Sequence, residues 1–266
     1  MCTLQTRHTA RISNMDGEMK RIMALQAVMH RIRHSEELYV VMSASTHMPF
    51  VSCNPETYDD EIFLYFGKDE AVRGAQWFLG KKHPIQLAGI DKESRLGFFA
   101  SLFSMGVNAV TVNQSLPGEL VIQLNQLVCR QDPEKMSKRA RVENPELHLT
   151  SLYFAQELAK KGKADPGGGL SEELKLLDEE LAAHFRRARY IIAVDEDGGG
   201  IPLVRKNGNT YQPVFTDMRE FQKFNRERKY SVSLLEYDTL REILSPETAG
   251  VVINPFGVDV LLRVEK

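Results

Sequence analysis

An internal repeat constrains this chain more than any other feature, because self-similarity at a fixed order of elements dictates the architecture. Leu38-Tyr39-Val40-Val41 reads beside Arg189-Tyr190-Ile191-Ile192, each a short β-prone run. Met48-Pro49-Phe50-Val51 and Ile201-Pro202-Leu203-Val204 follow, then Ile62 to Phe66 and Tyr211 to Phe215. Both copies continue into helix-like stretches, Lys68 to Leu79 and Asp217 to Glu227. Pro84 to Leu87 stands opposite Ser231 to Leu234, with acidic helix starts at Asp91 and Asp238, and the copies close on Ala109 to Asn113 and Gly250 to Asn254. The separation shrinks from 151 residues (Tyr39 to Tyr190) to 141 (Asn113 to Asn254), mostly through a shorter second helix in the later copy. Strands that pair first as hairpins and are then separated by helices predict a mixed sheet with helices packed on it. The expected fold is α/β (α+β): two tandem similar domains, each a mixed β-sheet with packed helices.

The repeat reaches upstream. Ile22, Leu25, Met29 and Ile32 fall at helical spacing before the first copy, and Leu170, Leu174, Leu177, Leu181 and Phe185 before the second. Asp16 and Ser171 suit N-caps, whose side-chain oxygens accept from free backbone N–H groups. The methionines at 15, 19, 23 and 29 read as core filling. Within the second copy Asn207-Gly208 is a strong hairpin signal, and Pro213 pushes its strand towards an edge or a bulge. Between the copies, Asn144-Pro145 starts a helix with Pro at its first position, and Leu149, Leu152, Tyr153, Ala155 and Leu158 mark its docking face. These signals divide the chain into residues 1–130, a linker at 131–169 containing a helix, and residues 170–266.

Composition excludes whole classes. Hydrophobic residues are 42% and charged residues 26% of the 266, so a buried core needs no staples. A net charge of −2 argues against a nucleic-acid or anionic-membrane binder. No apolar run approaches the ~18 residues of a membrane span. Met1 to Arg11 lacks an apolar signal-peptide core, and three scattered cysteines suit a reducing compartment, so the expected location is a cytoplasm.

The chemical motifs are weak. Lys135-Met136-Ser137-Lys138 has a synthetase-like spacing, but no nucleotide-binding fold accompanies it. Asp195 to Gly200 opens like a calcium loop, yet its twelfth position is Lys206 rather than a bidentate Glu. Gly198-Gly199-Gly200 lacks the Lys and hydroxyl of a phosphate loop. His30 and His34 sit one turn apart among arginines, as on a solvated helix face. No nucleophile, cofactor or metal constellation stands out. Two loops of the second copy remain as candidate ligand- or partner-binding sites. Thr216 and Asp217 lie where a strand meets a helix N-terminus, and Asn254, Pro255 and Phe256 where a buried strand breaks into a turn with Gly257 suited to φ > 0.

The run Tyr190 to Asn254, with Ile201-Pro202, Val214-Phe215-Thr216-Asp217 and Val252-Ile253-Asn254-Pro255, resembles the N-terminal domain of the bacterial enhanced-serine-sensitivity (SseB) family. The first copy departs from that pattern at Phe66-Gly67 and at Gln114, where Thr and Pro stand in the family. The resemblance implies two divergent SseB-like domains and brings no enzymatic activity, catalytic residue or cofactor with it. The function expected is a non-enzymatic binding or scaffold role towards a protein partner or small ligand. The alternative is a small-molecule-binding regulator or enzyme with a site between the two domains.

Overall fold

A computed structural model describes residues 2–130, 142–161, 170–195 and 200–264, with side chains from residue 18 onward. The first copy runs α1 (Cys2–His34), β1 (Glu37–Ser43), β2 (Ser52–Cys53), β3 (Asp60–Tyr65), α2 (Lys68–Gly80), β4 (Ile85–Asp91), α3 (Lys92–Ser104), β5 (Ala109–Val112), β6 (Leu120–Gln123) and the short α4 (Leu124–Leu127). The linker helix α5 (Pro145–Lys161) follows. The second copy runs α6 (Glu172–Arg187), β7 (Arg189–Asp195), β8 (Val204–Lys206), β9 (Asn209–Val214), α7 (Met218–Phe224), β10 (Tyr230–Glu236), α8 (Tyr237–Ile243), β11 (Thr248–Ile253) and β12 (Val260–Leu262).

The two copies share one topology. The first sheet is ordered β4-β1-β3-β5-β6, with β2 alongside β3. In the second, β10 pairs β7, and β12-β11-β9-β8 form a ladder. A bridge between Ile191 and Phe215, with both N–H···O bonds at 2.9 and 3.1 Å, joins the two pieces. The order thus becomes β10-β7-β9-β11-β12, with β8 alongside β9. Directions match as well: β3/β5 and β9/β11 are the parallel pairs, and the remaining pairs are antiparallel.

The sheet corrects the repeat's register. Glu37 pairs Asp91 at one end of β1, and Arg189 pairs Glu236 at the same end of β7. Leu38 is therefore the counterpart of Tyr190, one residue off the sequence alignment, and Ile85 that of Tyr230. A one-residue slip would swap sheet faces, and the burial agrees with the structural register. Leu38, Val40, Tyr190 and Ile192 face the main core, while Val41 and Ala193 face smaller clusters under α2 and α7. That main core is continuous through both copies, from Ile32 and Ile62 through Leu152 of α5 to Leu181 and Ile253.

Several local signals hold. Ser171 accepts from the Leu174 N–H, Asp91 from that of Ser94, and Pro145 opens α5. Asn207 and Gly208 both take φ > 0 (50° and 80°), the backbone of a type I′ hairpin. Others are overturned by packing. Asp16 lies inside α1 rather than at its cap. Met19, Ile22 and Met23 are exposed, because between residues 18 and 34 α1 reaches the core from Leu25 onward. Leu158 is 48% exposed, since the buried face of α5 runs instead through Leu147, Thr150, Leu152 and Gln156. Pro213 lies in a strand flanked on both sides, so the edge alternative fails, while the ladder of that strand with β11 does carry a bulge-like register shift between Thr248 and Val251. Phe215 directs its N–H and C=O to β7, so Pro213, two residues back, offers no donor on that side, and β7–β9 pairing is confined to the bridge.

Candidate functional site

The sites read from the sequence converge. β9 and β11 run parallel, with Val214 beside Ile253, so both chains leave the sheet at the same edge. Asn254 enters the left-handed region (φ 47°), which asparagine tolerates. Its side chain then reaches across: Oδ1 accepts from the Thr216 N–H at 3.0 Å, and Nδ2 donates to Thr216 Oγ1 at 2.8 Å. The Thr216 hydroxyl donates to Asp217 Oδ2 at 2.9 Å. Asp217 Oδ1 caps α7 by accepting from the N–H groups of Arg219 and Glu220.

A residue from the linker completes the cluster. His148, on the buried face of α5, places Nδ1 3.2 Å from Thr216 Oγ1 and 3.5 Å from Asp217 Oδ2. With Nδ1 protonated it donates to this pair, an arrangement consistent with every other bond of the cluster. Burial alone would push the Asp217 carboxyl up. The facing His148, together with the Glu220 N–H and the Thr216 hydroxyl, outweighs it and holds the pKa below the ordinary carboxylate value. Asn144 adds a second anchor, its N–H and Nδ2 both donating to the Thr216 carbonyl.

By residue type, Thr216, His148 and Asp217 make a nucleophile, base and acid. By burial they do not: all three, with Asn254, are at most 3% exposed beneath α5. A general base needs its substrate within hydrogen-bond reach, and here the reach is taken by the protein. The cluster holds the linker helix to the second copy. At its far end α5 grips the first copy, where Gln156 exchanges two bonds with the Val51 backbone at 2.8 and 2.9 Å. The Tyr153 hydroxyl donates to Asp60 nearby.

Of the five predicted site residues, Thr216, Asp217, Asn254 and Pro255 are buried, and Phe256 is 61% exposed. Gly257 does not take positive φ, contrary to expectation. A Cβ there would stand 2.4 Å from Glu220 Oε2, so the Glu220 carboxylate packs directly against the glycine. In the first copy Phe66 and Gly67 replace Thr216 and Asp217. Asn113 keeps the left-handed backbone (φ 56°), but its Oδ1 has no partner. His30 and His34 stack at 4.0 Å on an exposed face. Lys135 to Lys138 and most of Asp195 to Gly200 lie outside the described residues. Among the described residues no group of three or more His, Cys, Asp or Glu could hold a metal, and no helix is long and apolar enough to cross a membrane.

Two open crevices went unseen in the sequence. One lies between the end of α1, α3 and the segment after α4, lined by Ile32, Arg33, Lys92, Arg95, Phe99 and Leu127, with a volume of about 190 Å³. The other, about 660 Å³, lies between α6, the start of α8 and β12, among Ala182, Phe185, Arg186, Tyr237, Leu262 and Val264. They occupy corresponding places: α1 and α6 precede the first strand of each copy, and α3 and α8 follow the fourth. Lys92 and Tyr237 each open the equivalent helix. No periodicity marks such a crevice, because its walls come from three separate stretches in the first copy and four in the second.

No family model and no curated protein matches this chain. Two solved structures share a remote likeness. Tic22 from Plasmodium falciparum is 12% identical with a TM-score of 0.21, the match covering 84% of this chain and 90% of that one. Anabaena Tic22, described as a protein-transport protein, is 11% identical with a TM-score of 0.20, covering 84% and 92%. Likeness at this level carries no argument about fold or function.

Proposed function

We propose that this chain is a non-enzymatic binding module of SseB-like type whose working surface is the pair of corresponding crevices. The observation that carries the reading is their recurrence at the same place in both copies, between the leading helix and the helix after the fourth strand, with the C-terminal stretch of each copy as the third wall. The first crevice has the usual form of a ligand site, concave and largely apolar with a few convergent polar groups, and the second is the more polar of the two. The buried His148–Asp217–Thr216 cluster supports the same reading from the other side, since its bonds hold α5 to the second copy and its one unpartnered nitrogen, His148 Nε2, is itself buried. Phe256, exposed beside the Asn254 turn and 6.0 Å from the Phe224 ring, adds a point of contact for a protein partner. Kinship with the SseB family rests on Val214 to Asp217 and Val252 to Pro255, residues with defined structural work in this fold. A cytoplasmic setting is supported by the free thiols of Cys53 and Cys129.

A methyl-labelled sample titrated with a library of small fragments tests the module. The expected result is shifts confined to methyls of Ile32, Leu127, Leu262 or Val264, with the methyls around Thr216 unchanged. A library that leaves both crevices silent overturns the proposal.

A further inference from the structure

We propose that the first crevice binds a small apolar carboxylate, with a short acyl chain or single ring in the cleft and its anionic head at the cationic wall. This rests on the binding-module reading and names the ligand class for one of the two crevices. The lining supplies three cations, Arg33, Lys92 and Arg95, and no acid. Neither Arg33 nor Lys92 forms an ion pair among the described residues. The remaining walls are apolar, from Ile32, Phe99 and Leu127, with Leu96 exposed at the mouth. A cavity of roughly 150 Å³ accommodates a benzene ring, so about 190 Å³ suits one ring or a short chain.

Arg95 is the second observation. It is 5% exposed, and its guanidinium is fixed by the carbonyls of Ile32 and Ser35, each at 2.6 Å, at the C-terminal end of α1. No carboxylate pairs with it among the described residues, and its Nε is buried without a partner. Asp91 is near enough to feel its charge but is occupied as the cap of α3. Buried cations are ordinarily paired with an anion. Carbonyl dipoles supply part of that compensation here, and a ligand carboxylate at the crevice supplies the rest. The second copy provides a built-in contrast. Four residues into α8, where α3 has Arg95, stands Leu240, and in that crevice two arginines, Arg186 and Arg263, share the lining with Asp178, whereas the first has three cations and no acid. A carboxylate is therefore expected to choose the first crevice over the second.

The test is a methyl NMR titration of the full chain with sodium octanoate, and in parallel with octan-1-ol, which keeps the chain and removes the charge. The Arg33→Gln, Lys92→Gln double variant alters two exposed side chains and leaves Arg95 and the core intact. Octanoate is expected to shift the methyls of Ile32, Leu127 and Val128, to bind more tightly than octan-1-ol, and to bind the double variant about five- to tenfold more weakly. Equal binding of octanoate and octan-1-ol, unchanged in the double variant, overturns the carboxylate assignment and leaves the binding module standing. Preference for the second crevice also overturns the assignment. Silence of both crevices towards both probes, and towards the fragment library, overturns the module itself.

Discussion

Replacing Thr216 by valine tests the buried cluster at its centre. The two side chains have nearly the same shape, so the substitution opens no cavity and its cost is almost wholly that of the lost hydroxyl. That hydroxyl, on a residue 0% exposed, accepts from Asn254 and donates to Asp217. Without it the Asn254 amide donor is stranded in the interior. Asp217 Oδ2 then keeps only His148, at 3.5 Å, although Oδ1 retains the two cap bonds. An orphaned buried group costs about 1–3 kcal/mol. The full penalty for the amide and the lower end for the carboxylate sum to about 2–4 kcal/mol. Thr216→Ser keeps the hydroxyl and loses only a buried methyl, about 1 kcal/mol. Urea unfolding of the two variants beside the parent chain gives the comparison, read from midpoints at constant slope. A valine variant within about 0.5 kcal/mol of the parent, or a serine variant as unstable as the valine one, would refute the account, since surface-like substitutions fall in that range.

Three further outcomes follow from the same structure. Gln156→Ala removes both bonds to the Val51 backbone and strands a buried N–H and C=O, so stability should fall by about 2–4 kcal/mol, with the Val51 amide losing hydrogen-exchange protection first. Gly250→Ala places a Cβ 2.2 Å from the Leu262 carbonyl at φ 147°, and a loss of at least about 3 kcal/mol or of soluble protein is expected. Asp217 has a folded pKa below the unfolded value of about 3.9, so its stabilisation is complete above that value and lost as pH falls through the folded one. Stability measured downward from about pH 5 should therefore decline less steeply in Asp217→Asn than in the parent, and parallel curves would contradict the assignment.

Much of the fold is local and so was readable in advance. The order of strands and helices in both copies follows from short apolar runs, from the Asn207-Gly208 turn, and from a cap at Ser171 and another at Thr216 or Asp217, which the structure gives to Asp217. Each of these signals lies within a few residues of the structure it specifies. The convergence of Thr216 and Asn254 was legible too, because helices between two strands bring the chain back to run parallel. The limits of local reading show where two stretches must meet. The repeat was one residue out at β1 and β7, since only cross-strand pairing fixes which face each side chain takes.

Local residue patterns suffice for a duplicated mixed α/β unit and for the points where its strands end. What those ends do depends on contacts between stretches far apart in the chain. His148 lies 68 residues from Thr216, and Arg95 63 residues from Ile32. Nothing in the composition around either residue marks it as buried. Leu158 had the apolar character of a docking residue and faces solvent, while Gln156, two positions away, is buried because the Val51 backbone offers it a donor and an acceptor. The burial of a polar side chain depends on a partner at the right distance, and that partner comes from a distant part of the chain.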